Sequence, residues 1–148
     1  MNDRATIDLI LRSARNIAIA GMSDKPARAS FNIGRYLKNS GYRIFPVNPV
    51  LKTVLGQPCF ATLDEADAAA RAATGQGIDL VDVFRASEHV PPIVDDVVRL
   101  RISYLWLQDG VENSEAVARA EAAGVKCVQN DCIFREHAAR PELHANRS

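Results

Sequence analysis

Short apolar runs alternate along the chain with stretches whose apolar residues recur every three or four positions. Residues 17–20, IAIA, form one such run and stop at Gly21. Residues 42–47, 79–84, 104–107 and 125–128 repeat the pattern, with the length and aliphatic content of buried strands. Between them Phe31, Ile33, Gly34, Tyr36 and Leu37 fall at helical spacing, as do Ile93, Val94, Val97, Val98 and Leu100. The punctuation agrees. Thr62-Leu63-Asp64-Glu65 has capping-box form and opens an alanine-rich helix to about Ala73. Ser87 and Pro91-Pro92 mark the first turn of a helix over 87–101, and Ser114 is placed to cap one that ends at Gly124. An amphipathic helix is predicted over 2–13, capped by Asp3 or Thr6, with Ile7, Leu9, Ile10 and Leu11 on its apolar face. From Asn130 onward the pattern weakens to irregular or weakly helical chain, and 138–148 reads as a frayed tail.

Strands joined by helices require parallel pairing and right-handed crossovers. The fold class expected is therefore α/β, a doubly wound parallel sheet of about five strands in one domain spanning 1–148. The simplest order for the five main strands is 3-2-1-4-5. In open parallel sheets ligands bind at the carboxyl ends of the strands, at the switch point, here between the first and fourth. Polar residues collect at those ends: Gly21 to Ser23, Asn48, Arg85, and Gln108-Asp109-Gly110. Loops are polar in any case, so this clustering alone does not make a site.

Charge and composition narrow the classes of function. Lys plus Arg and Asp plus Glu number 18 each, which gives no basic surface for nucleic acid. No apolar run approaches the roughly 18 residues a membrane helix needs, and no signal peptide opens the chain. Three cysteines without paired spacing fit reduced thiols in a cytoplasmic protein.

Residues 16–40 carry the most chemistry. An apolar strand ends at Gly21, a loop of small, polar and basic residues follows, and a helix begins near Ser30. A helix N-terminus presents free N–H groups and the positive end of its dipole, where a phosphate can sit. Gly21 allows close approach, Ser30 can cap the helix, and Lys25 and Arg28 add charge. An ordinary crossover loop with solvated cations accounts for the same residues equally well. If a nucleotide binds, the GxGxxG fingerprint is absent, and Asn48 stands where an NAD site places a carboxylate. There is no Walker lysine motif either. An adenine nucleotide with an extra ribose phosphate suits the loop, and NADP and coenzyme A both answer that description.

Several motifs, taken in order, separate the two. GMSDKPARAS, PVNP, LGQPCF, VDVFR, WLQDG and Asp131-Cys132 together resemble the small bacterial CoA-binding proteins. These in turn are similar to the CoA-binding domain of the succinyl-CoA synthetase α subunit. The resemblance runs from Ile17 to about His137. It implies a Rossmann-like domain with coenzyme A phosphates on the first loop and adenosine against the ends of the second and third strands. It further implies contacts from Gly21, Met22, Ser23, Arg28, Ser30, Asn48, Pro49, Lys52, Phe84, Arg85, Gln108, Asp109 and Gly110. The synthetase carries a second domain with a phosphorylated histidine. No counterpart to it is expected within residues 17–137, which carry the resemblance, so ligase activity is not implied.

Two classes of function stay open. One is a module that binds coenzyme A or acyl-CoA without catalysis of its own, storing, sensing or presenting it to a protein partner. The other is an enzyme using NADP or CoA, with Cys132 or His137 as its reactive group. If the pantetheine arm runs toward the fifth strand, its thiol can form a mixed disulfide with Cys132. Cys59 and Cys127 sit in apolar runs and read as core, His89 and His144 as solvated. Asp79 and Asp82 read as structural, and no zinc-type ligand spacing occurs.

Overall fold

The five apolar runs become the five strands of one parallel sheet in the computed structural model, which describes residues 2–145. The order of elements is α1 (Arg4–Ser13), β1 (Asn16–Ala20), α2 (Ala29–Asn39), β2 (Arg43–Val47), a short hairpin of β3 (Thr53–Val54) and β4 (Gln57–Pro58), and α3 (Leu63–Thr74). Then follow β5 (Leu80–Val83), a 3-10 turn (Ser87–His89), α4 (Val90–Arg99), β6 (Tyr104–Leu107), α5 (Ser114–Ala122), β7 (Lys126–Val128), α6 (Ile133–Ala138) and α7 (Pro141–Ala145).

Alternation along the strands builds two apolar layers. Ala18, Ala20, Phe45, Val81, Val83, Leu105 and Leu107 face Ala66 and Ala70 of α3, Val94 and Val97 of α4, and Ala116 and Ala120 of α5. Ile17, Ile19, Ile44, Leu80, Trp106 and Val128 face Ile7 and Ile10 of α1, Leu37 of α2, Ile133 of α6 and Leu143 of α7. A sheet buried on both faces is what near-continuous aliphatic strands require. Caps follow the sequence in part. Asp3 accepts from the Ala5 N–H, and the Thr62 side chain accepts from the Glu65 N–H. For α5 the cap is Asn113, whose Oδ1 accepts from the Ala116 N–H, and Ser114 is already inside the helix.

The strand order differs from expectation. It is β2-β1-β5-β6-β7, so the third main strand, β5, lies beside β1 and not beyond β2. The reason is that the outer edge of β2 is already spent. Pro46 has no N–H to offer a further strand, and its carbonyl accepts from the Phe60 N–H at 2.9 Å. Gln57 Nε2 donates to the Ile44 carbonyl on the same side. Helix α3 therefore carries the chain back across the sheet, and β5 pairs with β1, Ile19 opposite Asp82. The switch point moves with it, to the crevice between β1 and β5, because α2 leaves on one face and α3 returns on the other.

The tail also differs. Helices α6 and α7 cover the face of the sheet between α1 and α2, and Leu143 is buried. Arg140 Nε binds Asp8 Oδ1 of α1 at 2.6 Å and its Nη1 binds Glu136 Oε1 at 2.9 Å. Trp106 Nε1 donates to the Asp131 carbonyl at 2.9 Å. An apolar sheet face needs a cover, and the weakly patterned segment supplies it. Residues 146–148 of the expected frayed tail lie outside the described residues.

Two outcomes follow from this packing. Asp82 is wholly buried in the sheet, neither carboxyl oxygen has a partner, and burial pushes its pKa well up. Between the unfolded pKa of about 3.9 and that raised folded value the native state binds more protons, so Asp82 makes stability fall as pH rises. Asp82→Asn removes this slope. The gap in urea-unfolding free energy between variant and wild type widens as pH climbs above about 4, and parallel profiles refute the assignment. Gly21 has φ +83°, and a Cβ there would stand 2.9 Å from the Phe84 carbonyl oxygen. Gly21→Ala therefore costs at least about 1–2 kcal/mol from the backbone angle alone, read by the same unfolding measurement.

Candidate functional site

A cleft of about 530 Å³ opens at the carboxyl ends of β1, β2 and β5. Its walls are residues 21–25 and 28–30 from the β1–α2 connection, Asn48, Val50 and Leu51 after β2, and Phe84 and Arg85 after β5. The floor is backbone. Gly21 N–H and Met22 N–H both donate to the Val47 carbonyl at 3.1 Å, and Phe84 N–H donates to the Ala20 carbonyl at 2.9 Å. Gly21 sits so close to Phe84 and Arg85 that only a residue without Cβ fits unstrained. Met22 is fully buried and packs against Gly34 of α2, where a Cβ would come within 2.9 Å of the methionine methyl. That contact draws the start of α2 over the end of β1.

Helix α2 begins in an unusual way for a helix end. Its N-cap is Arg28, whose side chain makes no capping hydrogen bond, and no acidic residue stands in its first turn. Ser30, expected as the cap, lies one residue inside the helix and turns its Oγ to accept from the Ser23 N–H at 2.9 Å. Ser23 Oγ in turn accepts from the Lys25 N–H at 3.1 Å. The two serines thus fold the loop onto itself and leave the helix start facing the cleft. Lys25, Arg28 and Arg85 are exposed around it, with Asp24 as the one acidic residue of the cleft wall.

Of the positions named from sequence, Gly21, Met22, Ser23, Arg28, Ser30, Asn48, Phe84 and Arg85 converge on this cleft. Pro49 and Lys52 follow Asn48 on the exposed outer turn and do not form its wall. Gln108, Asp109 and Gly110 lie farther along the sheet, where they meet α6 and the chain before it. Gln108 is buried and its Oε1 accepts from the Ile133 N–H at 3.1 Å. Asp109 pairs with Arg135 at 3.0 Å, and that guanidinium holds its carboxyl below the usual range. Gly110 N–H donates to Asn130 Oδ1 at 2.8 Å. Asp24, Ala29, Val50 and Leu51 were not anticipated as cleft residues. The signal for Val50 and Leu51 was available: an apolar pair directly after a strand-ending Asn-Pro, in a segment with no helical period.

Cys132 stands buried at the N-cap of α6, and its N–H is held by Asp131 Oδ1 at 2.8 Å. His137 is fully buried on the same helix, with Nδ1 2.7 Å from Tyr36 Oη of α2 and its ring stacked on His144. Cys127 lies in β7, where burial, and secondarily Glu121, push its thiol up to about 12. Among the described residues no helix is long and apolar enough to cross a membrane. Asp79 ties the start of β1, its carboxyl accepting from the Arg15 and Asn16 N–H groups.

Comparison with known proteins agrees with this geometry. The uncharacterized protein YneT of Bacillus subtilis is 33% identical over 135 residues, 91% of this chain and 94% of that protein. A solved structure of a hypothetical protein from Pyrococcus horikoshii is 32% identical and superposes with a TM-score of 0.80, covering 91% of this chain and 89% of the other. An ADP-forming acetate–CoA ligase of Archaeoglobus fulgidus is 25% identical over 127 residues, 79% of this chain but 17% of the ligase. The CoA binding domain family matches residues 15–138, which include every strand of the sheet and the whole cleft wall. This chain is a member of the CoA binding domain family.

Proposed function

We propose that this protein binds coenzyme A or an acyl-CoA in the cleft between β1, β2 and β5, with the diphosphate at the N-terminus of α2. The observation that carries the reading is the uncapped start of that helix. Free N–H groups at a helix start carry about half a positive charge, and a basic N-cap residue with no acid in the first turn adds to it. A diphosphate offsets both. The cleft fits such a ligand: its volume lies within the roughly 300–1,000 Å³ of small-molecule sites, and Gly21 lets phosphate oxygens reach the backbone. Lys25, Arg28 and Arg85 supply charge, and Val50 and Leu51 supply an apolar wall for a base. Lys52, on the turn beyond them, is the cation nearest in sequence for a ribose phosphate.

The name of the Archaeoglobus relative supports CoA as the ligand and gives the module its setting, a domain within a larger CoA-using enzyme. The ligation chemistry of that protein is no part of the proposal, because the match spans so little of its length. The role assigned to this chain is binding.

Titration calorimetry with CoA, and with NADP as competitor, tests the reading. CoA binds and NADP fails to displace it; absence of any CoA binding refutes the proposal. Arg28→Ala, an exposed substitution, leaves the fold intact and weakens CoA by one charge-assisted contact, roughly 1.5–3 kcal/mol. Unchanged affinity in the folded variant removes Arg28 from the site.

A further inference from the structure

Asn48 follows β2 at the point where a dinucleotide site places its ribose-binding carboxylate, yet its side chain is committed within the protein. Nδ2 donates to the Met22 carbonyl at 2.8 Å. Oδ1 accepts from the Val50 N–H at 2.8 Å and the Leu51 N–H at 3.2 Å. A primary amide has two donor hydrogens and two acceptor lone pairs, so one donor and both acceptor positions are in use. The backbone N–H of Asn48 is engaged as well, donating to the Phe60 carbonyl at 2.9 Å. Its neighbour Val47 receives both Gly21 and Met22.

These bonds join the two walls of the cleft. Met22 belongs to the loop that leads to α2, and Val50 and Leu51 form the opposite wall. Val50 is 81% exposed, so side-chain packing does not hold it. What holds it is the turn closed by the Asn48 amide, a side-chain mimic of a backbone turn. We infer that Asn48 is a positioning residue, acting on the ligand through Met22, Val50 and Leu51 by setting the distance between the phosphate wall and the apolar wall. The inference rests on the reading of the cleft as a CoA site, and it differs from a direct contact between Asn48 and the ribose phosphate. A contact of that kind discriminates ligands by that phosphate. A clasp does not, because it governs the diphosphate and base that CoA and dephospho-CoA share.

The experiment is calorimetry of CoA and of dephospho-CoA on wild type, Asn48→Leu and Asn48→Ser, well below each melting temperature. Asn48→Leu keeps the branched four-atom shape, at a larger volume, and removes every side-chain hydrogen bond. It weakens both ligands by the same factor, roughly tenfold or more, and the ratio of the two dissociation constants stays at its wild-type value. Asn48→Ser recovers part of the loss, since its hydroxyl can accept from the Val50 N–H but is too short to reach Met22. Amide exchange quickens at Val50 and Leu51 in Asn48→Leu and is unchanged in β1 and β5. A selective loss of CoA over dephospho-CoA overturns the inference in favour of direct contact. Unchanged affinities in a variant that merely melts earlier overturn it in favour of a purely structural role. Wild type that binds neither ligand refutes the cleft reading itself, a result distinct from both.

Discussion

On the reading of the cleft as a diphosphate site, the start of α2 has to stay uncapped and aimed into the crevice, and several contacts around it fit that requirement. A helix N-terminus with a basic cap residue and no acid in its first turn is an unfavourable end, since its first amides and the side chain beside them carry the same sign of charge. Ser30 and Ser23 could have relieved it, and both are spent inside the loop instead. Gly34 lets α2 settle on Met22, Gly21 lets the loop turn under Phe84, and the Val47 carbonyl pins two consecutive N–H groups. These bonds hold the loop in one shape without a ligand, which matters if the proposed diphosphate binds there. Preorganisation of this kind lowers the ordering cost of binding an anion.

Position in the sheet makes the site possible. With β5 beside β1, three strand ends meet at one crevice, and each contributes one wall. Ala18 and Ala20 of β1 face the layer of α3, α4 and α5, while Trp106 and the isoleucines fill the layer that α2 covers. On that layer α6 and α7 act as a fixed cover, tied by Arg140 to Asp8 and Glu136 and by the Trp106 indole to Asp131. The same cover occupies the Gln108 to Gly110 turn. Gln108 and Asp109 spend their side chains on Ile133 and Arg135, so this end of the sheet is anchored to α6 where the end near α2 stays open.

Among the described residues, the buried and half-buried aspartates divide accordingly into those with structural partners and Asp82. Asp79 and Asp67 each accept backbone N–H groups at sheet or helix ends, Asp79 from β1 and Asp67 from Ile78. Asp82 has no such partner and lies between Ile19 and Trp106 across the strand pairs. In a low-dielectric layer its neutral form is favoured, which makes stability depend on pH.

Local signals in the sequence marked the five main strands, the helices between them and the small, polar and basic loop after β1. Apolar runs, Thr62 as a cap, and Gly21 at a strand end are short-range facts, and short-range physics decides them. The order of the strands needed more. Pro46 was the available sign that β2 is an edge, but its meaning depends on which side its missing N–H faces, and that is a property of pairing between distant segments. The packing of α7, where the sequence reads as frayed, depends on distant contacts in the same way. Ile133, His137 and Leu143 carry little periodicity of their own and are held by α1, α2 and Trp106, contacts that exist only once the sheet is built. At the site, sequence placed Arg28, Ser30, Asn48 and Arg85 in one crevice, while only the tertiary structure decided what each does. Ser30 closes a loop and not a helix, and Asn48 faces Met22, because hydrogen bonds go to whatever donor or acceptor folding brings within 3 Å or so, whatever the spacing along the chain.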